Sequence, residues 1–389
     1  MSPKLGEIIE EIEDHKKTGV EFETLYDAEE ESINSPWDPS LIRVDAKVFS
    51  LRNILDMIDE GDLELAPDFQ RRNVWNPKQR SRLVESVLLR IPLPAFYFSA
   101  DEDGKMLVVD GLQRLSAIYD FVRSQSDNKR YKIDKLEYLQ NEVGKKYFKE
   151  LEGTLWARRI YSTQIIANVV DPQTPAQVKF DIFKRINTGG SPLNAQEIRH
   201  CMSKNRSRNF LKRLASTEIF NEATNHNLLD QIRMVDREVI LRFCAFRLIE
   251  SIEQDYTPMD TMDAFLTEMT RKIDFEVTDK QLEQLAKDFD LAMFNANKIF
   301  GQRAFRKWPK DNNKAYPINR ALFETWGNAL ADYDWETLKP HRGHIVRVAR
   351  EMMLNDNEFL SAISTSTSTA SKVNFRFTKV RKILTDIGL

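Results

Sequence analysis

The stretch VVDGLQRL, residues 108–115, marks an abrupt step from a strand to a helix. Two β-branched residues end a short apolar run at Asp110, Gly111 follows, and the next segment (LQRLSAIYDFV) carries apolar side chains at helical spacing. A helix that begins at such a turn leaves its first amide N–H groups without partners and presents the positive end of its dipole. The turn therefore predicts an anion-binding site, to which Arg114 adds a charged fork.

The length and the hydrophobic pattern predict an α+β protein. The chain has 389 residues, of which 41% are hydrophobic and 30% charged, and it is too long for one simple core. Strand-like patterns become scarce in the second half, where long amphipathic helical patterns take over. We expect an acidic, partly ordered arm with one weak helical stretch at residues 1–40, a small mixed α/β domain at residues 41–200 and a mostly α-helical domain at residues 201–389.

Local signals predict where several elements of the α/β domain begin and end. Asn76 followed by Pro77 is typical of a helix N-terminus, and Asn194 is placed to cap another helix. The segment at residues 101–104 is a turn between two strands, and QIIANVV at residues 164–170 is a further strand. In the sequence, some of these elements precede the turn at Gly111 and others follow it.

Charge is unevenly distributed along the chain. The net charge is −3, but residues 1–40 hold twelve acids and three bases, a balance of −9, so the remainder carries −3 − (−9) = +6. The segment at residues 199–213 has six Lys and Arg and no acid. We expect Lys204, Arg206 and Arg208 to contact DNA phosphates, while a solvated helix face remains an equal alternative.

The sequence argues against several other classes of site. It contains no Walker phosphate loop, its five histidines are scattered, and Cys201 and Cys244 form neither a zinc pattern nor a Cys-x-x-Cys pair. The amino terminus is acidic where a signal peptide would be basic, and no run of about 18 apolar residues occurs. We expect a reduced, cytoplasmic protein with no metal site made by the protein alone and no membrane partner.

What remains is a set of polar residues at the ends of predicted elements. Its members are Gln70, Arg71, Asp110, Gln113, Arg114, Arg185, Asn187 and Thr188. Amide and guanidinium groups of this kind donate hydrogen bonds to phosphate oxygens. The alternative for Arg114 is a purely structural pair with Asp110 or Asp120.

Three segments carry a resemblance to a known family. PDFQRRNVW (residues 67–75), VVDGLQRLSAIYDF (residues 108–121) and FKRINTGGSPLNAQEIR (residues 183–199) resemble the N-terminal domain of GmrSD-type modification-dependent restriction enzymes, in the ParB/sulfiredoxin-like superfamily. The resemblance is specific for roughly residues 45–200. It implies a ParB/sulfiredoxin-like fold, nucleotide binding and hydrolysis, DNA sensing and defence against phage.

The chain departs from the family pattern in two respects. The signature turn usually reads Asp-Gly-Gln-Gln-Arg, and here Leu112 replaces the first glutamine. The nuclease members carry a His-Asn-His domain, which the histidines of this chain do not provide. We therefore expect that this chain does not cut DNA and that a separate nuclease or other defence subunit is a partner.

The resulting hypothesis places an NTP across the turn. Its phosphates would bind the amides of residues 111–113 and the guanidinium groups of Arg71 and Arg114, while Asp110 would orient the turn or hold Mg²⁺, and Gln113 would position a water. The further residues assigned to the nucleotide site are Gln70, Leu112, Arg185, Asn187 and Thr188. The alternative is a non-catalytic DNA-binding or adaptor subunit whose pocket is structural.

Overall fold

The expected α+β fold is confirmed, with a mixed sheet in the first half of the chain and helices in the second. The computed structural model describes residues 8–13, 16–23, 38–65, 75–123, 131–186, 193–229, 231, 233–259, 261–308 and 316–389. The backbone divides into two compact units, Trp37–Met202 on the one hand and Met1–Pro36 with Ser203–Leu389 on the other. We refer to them as the sheet unit and the helical unit.

The elements are numbered in chain order. The strands are β1 (Glu10–Glu13), β2 (Lys16–Glu21), β3 (Val44–Ser50), β4 (Leu63–Glu64), β5 (Phe96–Ala100), β6 (Met106–Asp110) and β7 (Gln164–Val170). The helices of the sheet unit are α1 (Leu51–Glu60), α2 (Pro77–Leu88), α3 (Leu112–Val122), α4 (Gln140–Val143), α5 (Leu155–Ser162), α6 (Ala176–Ile186) and α7 (Ala195–Met202). Those of the helical unit are α8 (Asn205–Ala215), α9 (Glu218–Ala223), α10 (Val235–Leu248), α11 (Met262–Phe275), α12 (Asp279–Phe300), α13 (Arg320–Leu330), α14 (Trp335–Leu338), α15 (Arg342–Asn355), α16 (Asn357–Ala362) and α17 (Ala370–Thr385). Of the helices in the described ranges, none is long and apolar enough to cross a membrane.

Five strands of the described chain form one mixed sheet in the order β3-β7-β5-β6-β4. The β3–β7 and β5–β6 pairs are antiparallel, whereas the β7–β5 and β6–β4 pairs are parallel. One hydrophobic cluster joins Phe96, Phe98 and Val108 to buried side chains of α1, α2, α3 and α5. A second, smaller cluster joins Val109 and Val170 to α6 and α7. Helices therefore cover the sheet through two separate cores.

Capping residues explain where several helices of the sheet unit begin and end. The Asn76 side chain accepts from the amide of Gln79 and the Gln79 side chain accepts from that of Asn76, with Pro77 at the first helical position, as expected. Asn194 caps α7 in the same reciprocal way with Glu197. These local bonds account for helix boundaries that the sequence predicted.

Two buried charged groups fasten α2 to its neighbours. The Arg80 guanidinium donates to the Asp120 carboxylate on α3 at 2.8 Å and lies on the Tyr131 ring. The Glu85 carboxylate accepts from the backbone amides of residues 137–139 at 2.7 to 2.9 Å. Burial alone would raise the pKa of Glu85, but these amide bonds outweigh it and lower that pKa. Arg80 thus holds α2 against Asp120 of α3, and Glu85 holds it against the backbone of residues 137–139.

The core of the helical unit is built from phenylalanine side chains on four helices. Phe289 on α12 packs against Phe243 on α10, with ring centroids 5.3 Å apart, and against Phe220 on α9 at 5.8 Å. Phe323 on α13 extends the cluster to Phe305 at 4.5 Å. The amphipathic patterns of the second half thus form helices that pack around one core.

In its described residues, 8–13 and 16–23, the acidic segment predicted as an arm with a weak helical stretch forms a β-hairpin. Strands β1 and β2 pair with each other, and residues 18–21 are buried. The amide of Ile318 donates to the Gly19 carbonyl at 2.9 Å, and the amide of Glu21 donates to the Ile318 carbonyl at 2.8 Å. Backbone pairing with a segment nearly 300 residues away decides the strand conformation, which local helix propensity does not capture.

Carboxylates of this hairpin neutralise cations inside the helical unit. Glu23 accepts from Arg242 on α10 at 2.6 Å, Glu11 accepts from Arg320 on α13 at 2.8 Å, and Glu21 accepts from Lys307. A charge taken out of water needs such a partner, since an unpaired buried ion is strongly destabilising. The hairpin therefore supplies countercharges as well as strands.

Replacing Glu23 by Ala is expected to lower the free energy of unfolding by about 3 kcal/mol, because Arg242 would lose a partner in a buried site. Chemical denaturation at pH 7 measures the change. Burial alone would raise the pKa of Glu23, but Arg242 and Arg320 outweigh it and hold that pKa below its usual 4.5. The stabilisation is therefore complete above pH 4.5 and should disappear as the pH falls through the lower folded pKa.

Glu283→Ala is the matched control, since Glu283 is an exposed carboxylate on α12 of the same unit. Its effect should stay within about 0.5 kcal/mol, as for ordinary surface substitutions. Equal losses for the two variants would contradict the role of the hairpin carboxylate.

Candidate functional site

A glycine makes the turn between β6 and α3 possible. Gly111 has φ +92°, in the left-handed region, and a Cβ there would lie 2.2 Å from the Phe96 ring. The helix begins at Leu112, and within the described chain no side chain caps its N-terminus. The first amides of α3 have no partner within the helix, as at any helix N-terminus.

Arg114 lies beneath this turn and holds it in place. Its Nη2 donates to the Asp110 carboxylate at 3.0 Å and to the Ala95 carbonyl at 3.1 Å, and its Nη1 donates to the carbonyl of Pro94. The guanidinium carbon lies 4.3 Å from the centroid of the Phe96 ring. Burial lowers the pKa of Arg114, and Asp110 opposes this effect. The guanidinium thus joins the end of β6 to the start of β5.

Asp110 retains access to solvent despite this ion pair. Its side chain is 31% exposed, whereas that of Arg114 is 13% exposed. The strand register shifts at this point, so that Asp110 lies opposite Tyr97 of β5, and Tyr97 in turn lies opposite Asn168 of β7. Bulges of this kind often redirect a side chain next to a functional site. The three polar residues are aligned across three adjacent strands.

Two side chains in the first turn of α3 differ in whether they face the core. Leu112 packs against the larger hydrophobic cluster, which accounts for a leucine where the related turn carries glutamine. Gln113 is partly exposed in the same turn. The substitution therefore affects the core-facing side chain and leaves the backbone amide in place.

The structure brings only part of the predicted site together. Asp110, Gly111, Leu112, Gln113 and Arg114 form the turn itself. Arg185 is exposed in the last turn of α6, whose Phe180 and Phe183 share a core with Val109, the residue before Asp110. The four other predicted nucleotide-binding residues lie outside the described residues: Gln70, Arg71, Asn187 and Thr188.

Asp110 was an expected partner of Arg114, but the other partners of this guanidinium could not be predicted. Two of them are backbone carbonyls, of Pro94 and Ala95, which carry no signature in the sequence. The aromatic partner, Phe96, belongs to an apolar strand segment that resembles any other buried strand. The alignment of Tyr97 with Asn168 depends on the strand order, which the sequence does not reveal.

Part of the basic segment at residues 199–213 is used inside the protein. Arg208 is 8% exposed, so its guanidinium is not presented to a DNA backbone. Arg206 donates to Asp279 at 2.7 Å and also to the carbonyl of Ile273. The backbone amide of Lys204 donates to Asp274 at 2.8 Å. The density of basic residues here reflects helix packing in addition to any surface role.

The described residues of the turn offer few side chains that could bind a metal ion. Within the described residues, no group of three His, Cys, Asp or Glu side chains is arranged to hold a metal. Asp110 offers one carboxylate, which is shared with Arg114. Mg²⁺ is commonly held by one or two carboxylates together with substrate phosphates and waters, so this donor set suits a Mg²⁺ that arrives with a nucleotide.

Comparison with known proteins identifies the region that contains this turn. Residues 51–203 match the family model described as GmrSD restriction endonuclease, N-terminal domain. No curated protein and no solved structure matches the chain. The matched region contains β4 to β7 and all of α1 to α7, including the Gly111 turn. This part of the chain is therefore similar to the N-terminal domain of restriction endonucleases of the GmrSD type.

Proposed function

We propose that this protein is a nucleotide-binding, DNA-sensing component of restriction and phage defence. The observation that carries the proposal is the N-terminus of α3 at Gly111, which no described side chain caps, next to the ion pair of Arg114 and the partly exposed Asp110. The family match supports a restriction-related role for the domain that contains this turn. The protein would act as a sensor because nucleotide binding would change its affinity for DNA.

The turn offers a preorganised place for phosphate oxygens. The amides of Leu112 and Gln113 lie at the positive end of the α3 dipole, and the constrained Gly111 fixes their direction. The Asp110 carboxylate offsets much of the Arg114 charge, so the backbone amides would provide most of the attraction for an anion. Because the guanidinium is already bound to Asp110 and two carbonyls, Arg114 acts here as a positioning residue. Gln70, Arg71, Arg185, Asn187 and Thr188 are proposed to complete the nucleotide site.

Two side chains are proposed to contribute to hydrolysis. Asp110 would hold a Mg²⁺ bound to the phosphates through its partly exposed carboxylate, and this ion would neutralise developing charge. Gln113 would orient the attacking water from the first turn of α3. Catalysis of this kind works by positioning and charge stabilisation, with no covalent intermediate on the protein.

A second candidate function is a non-catalytic DNA-binding or adaptor subunit. It is favoured by the completeness of the Arg114 contacts, since a carboxylate, two carbonyls and an aromatic ring satisfy the guanidinium without a ligand. In that case the turn serves only to join β6 to α3. The two candidates differ in whether a nucleotide stabilises the protein.

Nucleoside triphosphates with Mg²⁺ are expected to raise the melting temperature of the protein. ATP, GTP, CTP and UTP should each be tested by thermal unfolding, because the base is unknown. Gln113→Ala should reduce phosphate release at least tenfold while leaving the melting temperature without ligand unchanged, since Gln113 is partly exposed. Absence of stabilisation by every triphosphate would favour the adaptor function.

Asp110→Asn is expected to weaken the Mg²⁺ dependence of nucleotide affinity. The amide keeps the shape and one hydrogen-bond acceptor, but it removes the charge that a cation needs. Titration of the nucleotide with and without Mg²⁺ measures the difference between the two affinities. A purely structural Asp110 would change stability but leave the ratio of the two affinities equal to that of the wild type.

The purified 389-residue chain is expected to leave plain and modified DNA intact with Mg²⁺ or Mn²⁺. The physical reason is that the described residues hold no cluster of metal-binding side chains. Gel analysis of long incubations provides the measurement. Metal-dependent cutting that persists through repurification and is abolished by one Asp or Glu substitution would refute this expectation.

A further inference from the structure

Two stretches of the helical unit contain basic residues and no acid. Residues 291–308 include four Lys and Arg, and residues 337–350 include four Lys and Arg with two His. Neither stretch contains Asp or Glu. In a chain with a net charge of −3, such stretches concentrate positive charge locally.

The fold brings these two stretches together. The Arg342 Nε at the start of α15 donates to the Ile299 carbonyl near the end of α12 at 3.3 Å. The Trp308 ring contacts both Arg303, with the guanidinium carbon 4.7 Å from the ring centroid, and Arg350 of α15, at 5.1 Å. One surface therefore carries basic side chains from both stretches.

Many of these basic side chains are directed to solvent. The exposed residues of this surface, which we call the α15 surface, are Lys298, Lys339, Arg342, His344 and Arg347. By contrast, Arg306 and Lys307 of the first stretch are buried and bonded inside the protein. The exposed part is thus not needed to balance charges within the core.

The acids that flank the α15 surface neutralise it only weakly. Glu336 lies 3.5 Å from Lys339, and Glu351 lies 3.9 Å from Arg347. All four side chains are more than half exposed, and exposed pairs of this kind contribute little energy. The N-terminal end of α15 adds positive potential of its own next to Arg342.

We propose that the α15 surface binds the phosphate backbone of double-stranded DNA. The inference rests on the DNA-sensing part of the proposed function and assigns that contact to α15 and the end of α12. A helix of 14 residues is about 21 Å long. Duplex DNA carries one charge per about 1.7 Å, so basic side chains spaced along α15 meet several phosphates.

The α15 surface meets this requirement better than residues 199–213. In that segment Arg208 is buried and Arg206 is bound to Asp279. Arg208 would have to leave the interior, and Arg206 would have to give up its bond to the Ile273 carbonyl, before either reached a phosphate. Arg347 and Lys339, with side chains about 60% exposed, have no such cost.

The test compares two variants that each remove two positive charges from the helical unit. Arg342→Ala/Arg347→Ala alters the α15 surface, and Lys280→Ala/Lys287→Ala is the control, because both lysines are exposed on α12 among acidic neighbours. Binding of the full chain to a fluorescent DNA duplex is measured over a range of salt concentrations. Thermal unfolding verifies that both variants fold.

The α15 variant is expected to bind DNA at least tenfold more weakly at low salt. The slope of log affinity against log salt should decrease by about 0.9 for each phosphate that the variant no longer binds, whereas the control should retain the slope of the wild type. Equal slopes for all three proteins, or equally weakened binding in both variants, would overturn the proposal. Binding of the α15 surface to acidic polypeptide, with no affinity for DNA, would overturn it in favour of a protein partner.

The same proteins should be titrated with triphosphate and Mg²⁺. The expected result is that the α15 variant binds DNA poorly but is stabilised by nucleotide as strongly as the wild type. If DNA binding depends on α15 but no triphosphate stabilises any of the proteins, the nucleotide proposal fails while the α15 assignment stands. The two failures are therefore distinguishable.

Discussion

A guanidinium group that leaves water must find acceptors, and this constraint determines how segments distant in sequence meet in both units. In the sheet unit, Arg114 gathers Asp110 and the carbonyls that precede β5 into one turn. In the helical unit, Arg376 on α17 is fully buried against Glu324 on α13, and Arg242 bonds to the Glu23 carboxylate. Hydrophobic packing supplies the cores, while these bonds select which segments line up.

Short-range signals allowed much of the sheet unit to be predicted. The caps at Asn76 and Asn194 depend on residues three positions away, and the Gly111 turn joins elements with clear periodicities. The hairpin at the amino terminus was missed because its decisive partner, Ile318, is remote in sequence. The burial of Arg208 was missed for a related reason: composition counts charges but does not show which ones face the interior.

The candidate nucleotide site and the α15 surface belong to different units and make different physical demands. The proposed phosphate site would use backbone amides of a turn that the Arg114–Asp110 ion pair holds in place. The proposed DNA contact would use exposed cations, such as those on α15. Because the two proposed sites lie in different units, one core does not have to support both the fixed turn and the exposed cations.

The hairpin has a consequence for the order in which the polypeptide folds during synthesis. Glu21 lies 286 residues before Lys307 and 299 residues before Arg320, and it bonds to both. The ribosome therefore releases the hairpin, and then the whole sheet unit, before the helices that receive the hairpin exist. The sheet unit can fold before the hairpin pairs with the helices of the helical unit. Until that pairing occurs, the hairpin carboxylates remain hydrated. Contacts of such long sequence separation close late, so the helical unit should be the last part to become stable.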